Sequence, residues 1–196
     1  MSLSFVFDGY GNRKYLDQSE RRAFLAAADT ASPEVKTFCM VLAYTGARIS
    51  EVLALSPSRI DFKACVIVFE SLKKRRRGHY RAVPVPRKVL VALDAVHGVK
   101  KAQESVSGPK EVLWPWCRTT AWTRVKEVME KAGIAGTHAS PKGLRHSLGV
   151  SALQSGVPLN ILQKWLGHTH LRTTAIYADA IGPEEREMAG RFWEAF

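Results

Sequence analysis

The chain has 196 residues and carries 29 Lys plus Arg against 18 Asp plus Glu, a formal net charge of +11. That length holds one substantial core and barely two small domains; no stretch approaches the roughly 18 apolar residues of a membrane span, and Met1 to Asp8 lacks the basic region and apolar run of a signal peptide. Cys39, Cys65 and Cys117 are odd in number and widely spaced, which argues against a disulfide framework or zinc site and suggests a reducing compartment; with no signal peptide the protein is expected in the cytoplasm, and no cofactor is expected.

Residues 1–16, with Gly9 and Gly11, read as an irregular arm ahead of one domain over residues 17–196. Asp17-Gln18-Ser19-Glu20 is a capping box that predicts a helix through about Ala28. Ser32-Pro33-Glu34 starts a second helix with Val35, Phe38, Val41 and Leu42 on one face, interrupted at Gly46. Ser50 to Leu55 resumes as helix, and Ser56-Pro57 closes it. Residues 59–62 and 64–69 are β-rich, and Arg81 to Val85 is a third strand in which Pro84 fits only at an edge or strand end. These form a small antiparallel sheet whose second hairpin carries Lys73-Lys74-Arg75-Arg76-Arg77.

A helix from about Arg87 to Val96 follows. Gly98, Gly108 and Pro109 then predict a flexible connection over residues 97–110. Thr119 or Thr120 caps the next helix, which sets Trp122, Val125, Val128 and Met129 on one face and ends at Gly133. Short helices run from Gly143 to Gln154, from Pro158 to Gly167 and from Thr173 to about Ala180. A final helix from Pro183 is apolar at Met188, Phe192, Trp193 and Phe196. The fold class is mixed α/β, mostly α-helical with a small three-stranded antiparallel sheet.

The positive excess points to a polyanionic partner, with a solvated high-pI surface as the plain alternative. Arg48 and Arg145 offer planar guanidinium forks that match phosphate oxygens, although an arbitrary arginine more often serves a surface ion pair. Tyr177 is a weak nucleophile with an ordinary pKa of about 10, and attacks phosphorus only when aligned and when phosphate charge is neutralised. A tyrosine taken at random is more often a half-buried core residue.

The order of the motifs decides between these readings. Thr45-Gly46-Ala47-Arg48-Ile49-Ser50-Glu51-Val52-Leu53 resembles TGxRxSELL, Leu144-Arg145-His146 the end of HxLRH, and Leu166-Gly167-His168 through Thr173-Thr174-Ala175-Ile176-Tyr177-Ala178 resembles LGHxxxxTTxxYA. Together they resemble the catalytic domain of the tyrosine recombinases, the phage integrase family, over about Asp17 to Glu185. The resemblance implies a metal-independent, site-specific DNA recombinase in which Tyr177 attacks the DNA backbone to form a 3′-phosphotyrosyl intermediate. It implies that Arg48, Lys142, Arg145 and His168 hold the phosphate, with Glu51 and His146 in support. A hairpin lysine, Lys73 in preference to Lys74, would protonate the leaving 5′ oxygen, and Arg81-Ala82-Val83-Pro84 resembles RxVPL. Lys74, Arg75, Arg76, Arg77 and Arg81 are expected on the DNA backbone.

Lys142 departs from the pattern, which has His there; lysine still donates to phosphate but is a poor base unless burial lowers its pKa. Relatives also carry a separate helical domain before the catalytic one, so the resemblance is to a short form. Its expected partners are double-stranded DNA and further copies of itself, as a dimer or tetramer on DNA, and no membrane. A non-enzymatic DNA-binding regulator that kept the fold is the principal rival, and a type IB topoisomerase a weaker third.

Overall fold

The computed structural model describes residues 6–71, 78–106, 108–179, 189–190 and 192–194. Helix α1 (Gln18–Asp29) opens on the expected capping box: the Asp17 side chain accepts from Glu20 N, and the Glu20 carboxylate accepts from Asp17 N. Helix α2 (Pro33–Thr45) has proline in its first turn and ends at Gly46, whose φ of 59° is the left-handed cap that lets the chain turn into α3 (Ile49–Leu53). A single turn of 3-10 helix (Pro57–Arg59) leads into strands β1 (Ile60–Asp61), β2 (Val66–Glu70) and β3 (Tyr80–Pro84). They pair antiparallel in the order β1-β2-β3, and Pro84 sits opposite Val66 at the end of an edge strand. β1 is shorter than expected because Asp61 accepts from the N–H groups of Lys63 and Ala64, closing the turn early.

Helices α4 (Arg87–His97), α5 (Val99–Glu104), α6 (Arg118–Lys131), α7 (Pro141–Gln154), α8 (Leu159–Leu166) and α9 (Arg172–Ala175) complete the order. A 3-10 turn (Ile176–Asp179) follows α9. The connection expected over residues 97–110 is not irregular: it holds α5 and a 3-10 turn at Gly108–Lys110. Six residues are too few to be helical alone. Burial of Val99 and two 2.8 Å bonds from Gln103 Nε2 to the carbonyls of Pro57 and Ile60 hold α5 in place. Cys117, and neither Thr119 nor Thr120, caps α6. The expected last helix lies largely outside the described residues, as do Met188 and Phe196; residues 189–190 and 192–194 are helical, with Phe192 and Trp193 exposed.

The main core gathers Phe24, Phe38, Leu42, Phe69, Leu93, Trp114, Met129 and Leu144 between the sheet and α1, α2, α4, α6 and α7. Phe38 meets Trp114 edge-on at 5.2 Å, and the indole N–H of Trp114 donates to Glu34 O. A second, smaller cluster of Val6, Val150, Leu162, Leu166 and Tyr177 lies where α7, α8 and the N-terminal arm meet. It sets the nucleophile candidate against the scaffold. Among the described residues no helix is long and apolar enough to cross a membrane.

Candidate active site

Helix α7 is the base of the site. Ser140 caps it by accepting from Gly143 N, and Pro141 occupies its first turn. Arg145, one turn along, is 7% exposed. Its Nη1 donates to Gly46 O and its Nη2 to Leu166 O, both at 2.6 Å. These carbonyls belong to the ends of α2 and α8, where helix dipoles favour a cation. Among the described residues no carboxylate forms an ion pair with Arg145. Burial, with repulsion from Arg48, pulls its pKa down to about 10, so it stays charged near neutrality.

Arg48 is the N-cap of α3. Its backbone N–H donates to Glu51 Oε2 and its Nη1 to Glu51 Oε1, both at 2.8 Å. The Glu51 side chain is wholly buried and is shared. Arg81 donates to it through Nη1 at 3.2 Å and Nη2 at 2.6 Å, and through Nε to Trp165 O at 2.8 Å. Burial would raise the Glu51 pKa, but the hydrogen bonds and charge of Arg81, with those of Arg48, hold it below the ordinary value. This corrects the expected role of Arg81. With a side chain 6% exposed and its donors turned inward, it ties the sheet to α3 and α8 instead of standing free at the surface. The paired carboxylate explains the difference, because a buried guanidinium without one is costly.

His168 follows Gly167, whose φ of 66° caps α8. Its Nδ1 lies 3.0 Å from Thr174 Oγ1, and its ring stacks over Tyr177 at 6.2 Å and 18°. The Tyr177 ring is 2% exposed and rests on α7 at Gly149. A Cβ there would meet the ring at 2.7 Å, so no larger residue fits beneath it. A glycine inside a predicted helix was the available signal for that close approach. Burial raises the Tyr177 pKa, opposed by Arg145 and Arg48, so the resting phenol keeps its proton. His146 is 8% exposed, and neither ring nitrogen has a hydrogen-bond partner among the described residues. Exposed Lys142 stands beside it at the start of α7.

Arg48, Lys142, Arg145, His146, His168 and Tyr177 therefore line one open cleft of about 740 Å³. Glu51 lies at its floor, and Lys14, Arg118 and Trp122 also line it. These last three were not legible as site residues. Trp122 shares the helical period of the core face of α6, whereas it is 47% exposed. Lys73, Lys74, Arg75, Arg76 and Arg77 fall outside the described residues.

The buried histidines make stability depend on pH. Burial and neighbouring cations push His146 down to about 4 and His168 to about 3, from 6.5. The unfolded chain thus takes up protons first as pH falls below about 6.5, and stability present above that pH is lost until His146 charges at about 4 and His168 at about 3. We expect the unfolding free energy measured by urea titration to fall from pH 7 to pH 5, by on the order of 1–2 kcal/mol per pH unit after allowance for partial exposure. His146→Gln should flatten the decline; an unchanged profile would show that these rings are not the cause.

Comparison with known proteins agrees with this geometry. The profile of the phage integrase family matches residues 14–181, and the chain belongs to that family. It is 31% identical over 176 residues to the tyrosine recombinase XerD of Pseudomonas aeruginosa, covering 84% of this chain and 56% of that protein. It is 30% identical over 173 residues to the tyrosine recombinase XerA of Thermococcus onnurineus, covering 84% and 57%. The chain thus spans little more than half the length of these relatives. The crystal structure of XerA recombinase superposes with a TM-score of 0.76 at 26% identity, covering 91% of this chain and 64% of that one. A post-cleavage complex of the XerH site-specific recombinase with a palindromic difH substrate shares the fold, with a TM-score of 0.74 at 20% identity over 95% of this chain and 56% of that one.

Proposed function

We propose that this domain cuts and rejoins double-stranded DNA at specific sites through a covalent phosphotyrosine on Tyr177. The observation that carries the reading is Arg145: a buried cation held by two carbonyls, with no carboxylate ion pair among the described residues, at the wall of a cleft that also contains Arg48 and Tyr177. Such a charge awaits an anion, and a phosphodiester supplies one with two oxygens for two arginine forks. Family membership and the likeness to tyrosine recombinases support the same chemistry.

In this mechanism Arg48 and Arg145 grip the nonbridging oxygens, and Lys142 and His168 donate to the same phosphate. The Thr174 hydroxyl occupies His168 Nδ1 and leaves Nε2 for that task. Tyr177 Oη attacks phosphorus, releasing its proton to solvent in the open cleft. A new P–O bond forms as the P–O5′ bond breaks, and the electron pair leaves with O5′. That oxygen takes a proton, from Lys73 in our reading, and departs as a 5′ hydroxyl. Because the phosphodiester energy is kept in the phosphotyrosine, the reverse attack rejoins strands without ATP. Charge developing on phosphate is stabilised by fixed donors, which commonly contribute several kcal/mol each. We further propose that two or four copies assemble on the DNA, since rejoining to a new partner needs paired sites.

The test is a nicked suicide duplex carrying the cognate site, selected from genomic DNA by covalent capture. An adduct should accumulate in EDTA, and peptide mapping should place a 3′ phosphate on Tyr177. Sequence-specific binding without any adduct would identify a regulator. Relaxation of a plasmid lacking the site would identify a topoisomerase.

A further inference from the structure

The cleft is larger than its catalytic groups need. At about 740 Å³ it lies in the range of roughly 300–1,000 Å³ that encloses a whole drug-sized ligand, whereas one phosphodiester is far smaller. Three of its lining residues, Lys14, Arg118 and Trp122, have no part in the chemistry above.

Lys14 is held there by design of the arm. Its backbone N–H donates to Val6 O at 2.8 Å, and Phe7 and Arg13 form a β-bridge. Two residues on, Ser147 Oγ of α7 accepts from Leu16 N and donates to Leu16 O, both at 2.6 Å. Val6 is buried in the cluster that holds Tyr177. The arm is thus a strap fixed to the catalytic helix. Its two successive cations behave differently: Arg13 is paired with Asp17 and Glu20, while Lys14 has no ion pair among the described residues and faces the cleft.

Arg118 and Trp122 stand four residues apart on α6, and so on one face of it. Arg118 also lacks an ion pair among the described residues. Lys126, a further turn along, lies 5.9 Å over the Trp122 ring and donates to Ala139 O, which steadies the indole. An exposed indole beside cations that have no ion pair among the described residues suits a chain that alternates anions with apolar sugar carbons.

We propose that Lys14, Arg118 and Trp122 form a subsite for the deoxyribose-phosphates flanking the scissile phosphate. The two cations take the neighbouring phosphates, and Trp122 covers the sugar between them. The proposal rests on the reading of the cleft as a DNA site. It makes the strap part of the substrate-binding surface, so that arm docking, Tyr177 packing and strand placement are coupled.

The test measures affinity for a duplex of arbitrary sequence by fluorescence anisotropy across a salt series, because phosphate contacts do not depend on sequence. Lys14→Gln and Arg118→Gln should each reduce the slope of log affinity against log salt by roughly 0.9, the value of one phosphate contact. Trp122→Ala should weaken binding by roughly 10-fold at one salt concentration and leave the slope unchanged. Lys131→Gln, at the far end of α6, should keep the wild-type slope. Thermal melts should match the wild type, because Lys14 and Arg118 are not buried. Wild-type slopes in both glutamine variants would overturn the subsite and leave the DNA reading standing. A wild-type protein whose DNA binding shows no salt dependence would overturn both.

Discussion

Tyr177→Phe should abolish the covalent adduct, a loss of roughly 10⁴-fold or more, while leaving the protein folded and bound to its site. The ring is 2% exposed and packs among Val6, Val150, Leu162 and Leu166. Phenylalanine keeps that volume and the contact with Gly149. Only the hydroxyl is lost, together with its interaction with Arg145, a change of about 1 kcal/mol or less in stability. Stability and DNA affinity should therefore stay near wild type as cleavage disappears. Recovery of an adduct from the phenylalanine variant, or its mapping to another tyrosine, would refute the assignment of the nucleophile.

Glu51→Ala should be the most damaging single change in the site's support. It strands Arg81, whose side chain is 6% exposed, and frees Arg48 from its cap. Removing one partner of a buried pair typically costs about 3–5 kcal/mol, because the remaining charge has no compensation. For a domain of this size each kcal/mol moves the melting temperature by roughly 2–4 °C. Adding Arg81→Met should recover part of the loss, since it removes the stranded charge and supplies apolar volume beside Phe69. Cleavage should remain impaired in the double variant, because Arg48 stays uncapped. If Glu51→Ala melts like the wild type, the network carries no stability.

The features written locally could be read without the fold. The Asp17 capping box, proline at the start of α2, and left-handed glycines at the ends of α2 and α8 involve only residues a turn apart. The motifs around Arg48, Arg145, His168 and Tyr177 are likewise written in consecutive residues, and the hairpin that ends at Pro84 in two neighbouring β-rich runs. The chain by itself therefore determined its family, its fold class and the chemical groups of its candidate site. Tertiary structure alone decided where those groups face. Arg81 stands four residues after the basic run that ends at Arg77, yet Glu51 and the Trp165 carbonyl, 30 and 84 residues away, turn it inward. Helix α5 exists because Gln103 reaches back to Pro57 and Ile60. Trp122 matches the period of the core face but stands beyond its edge, in the cleft. Lys14 belongs to an arm with no periodic signal and reaches the site because Ser147, 131 residues from Leu16, anchors the strap. Capping and helix periodicity are short-range and leave a pattern in consecutive residues, whereas the burial of a charge depends on partners that only folding brings within hydrogen-bond reach.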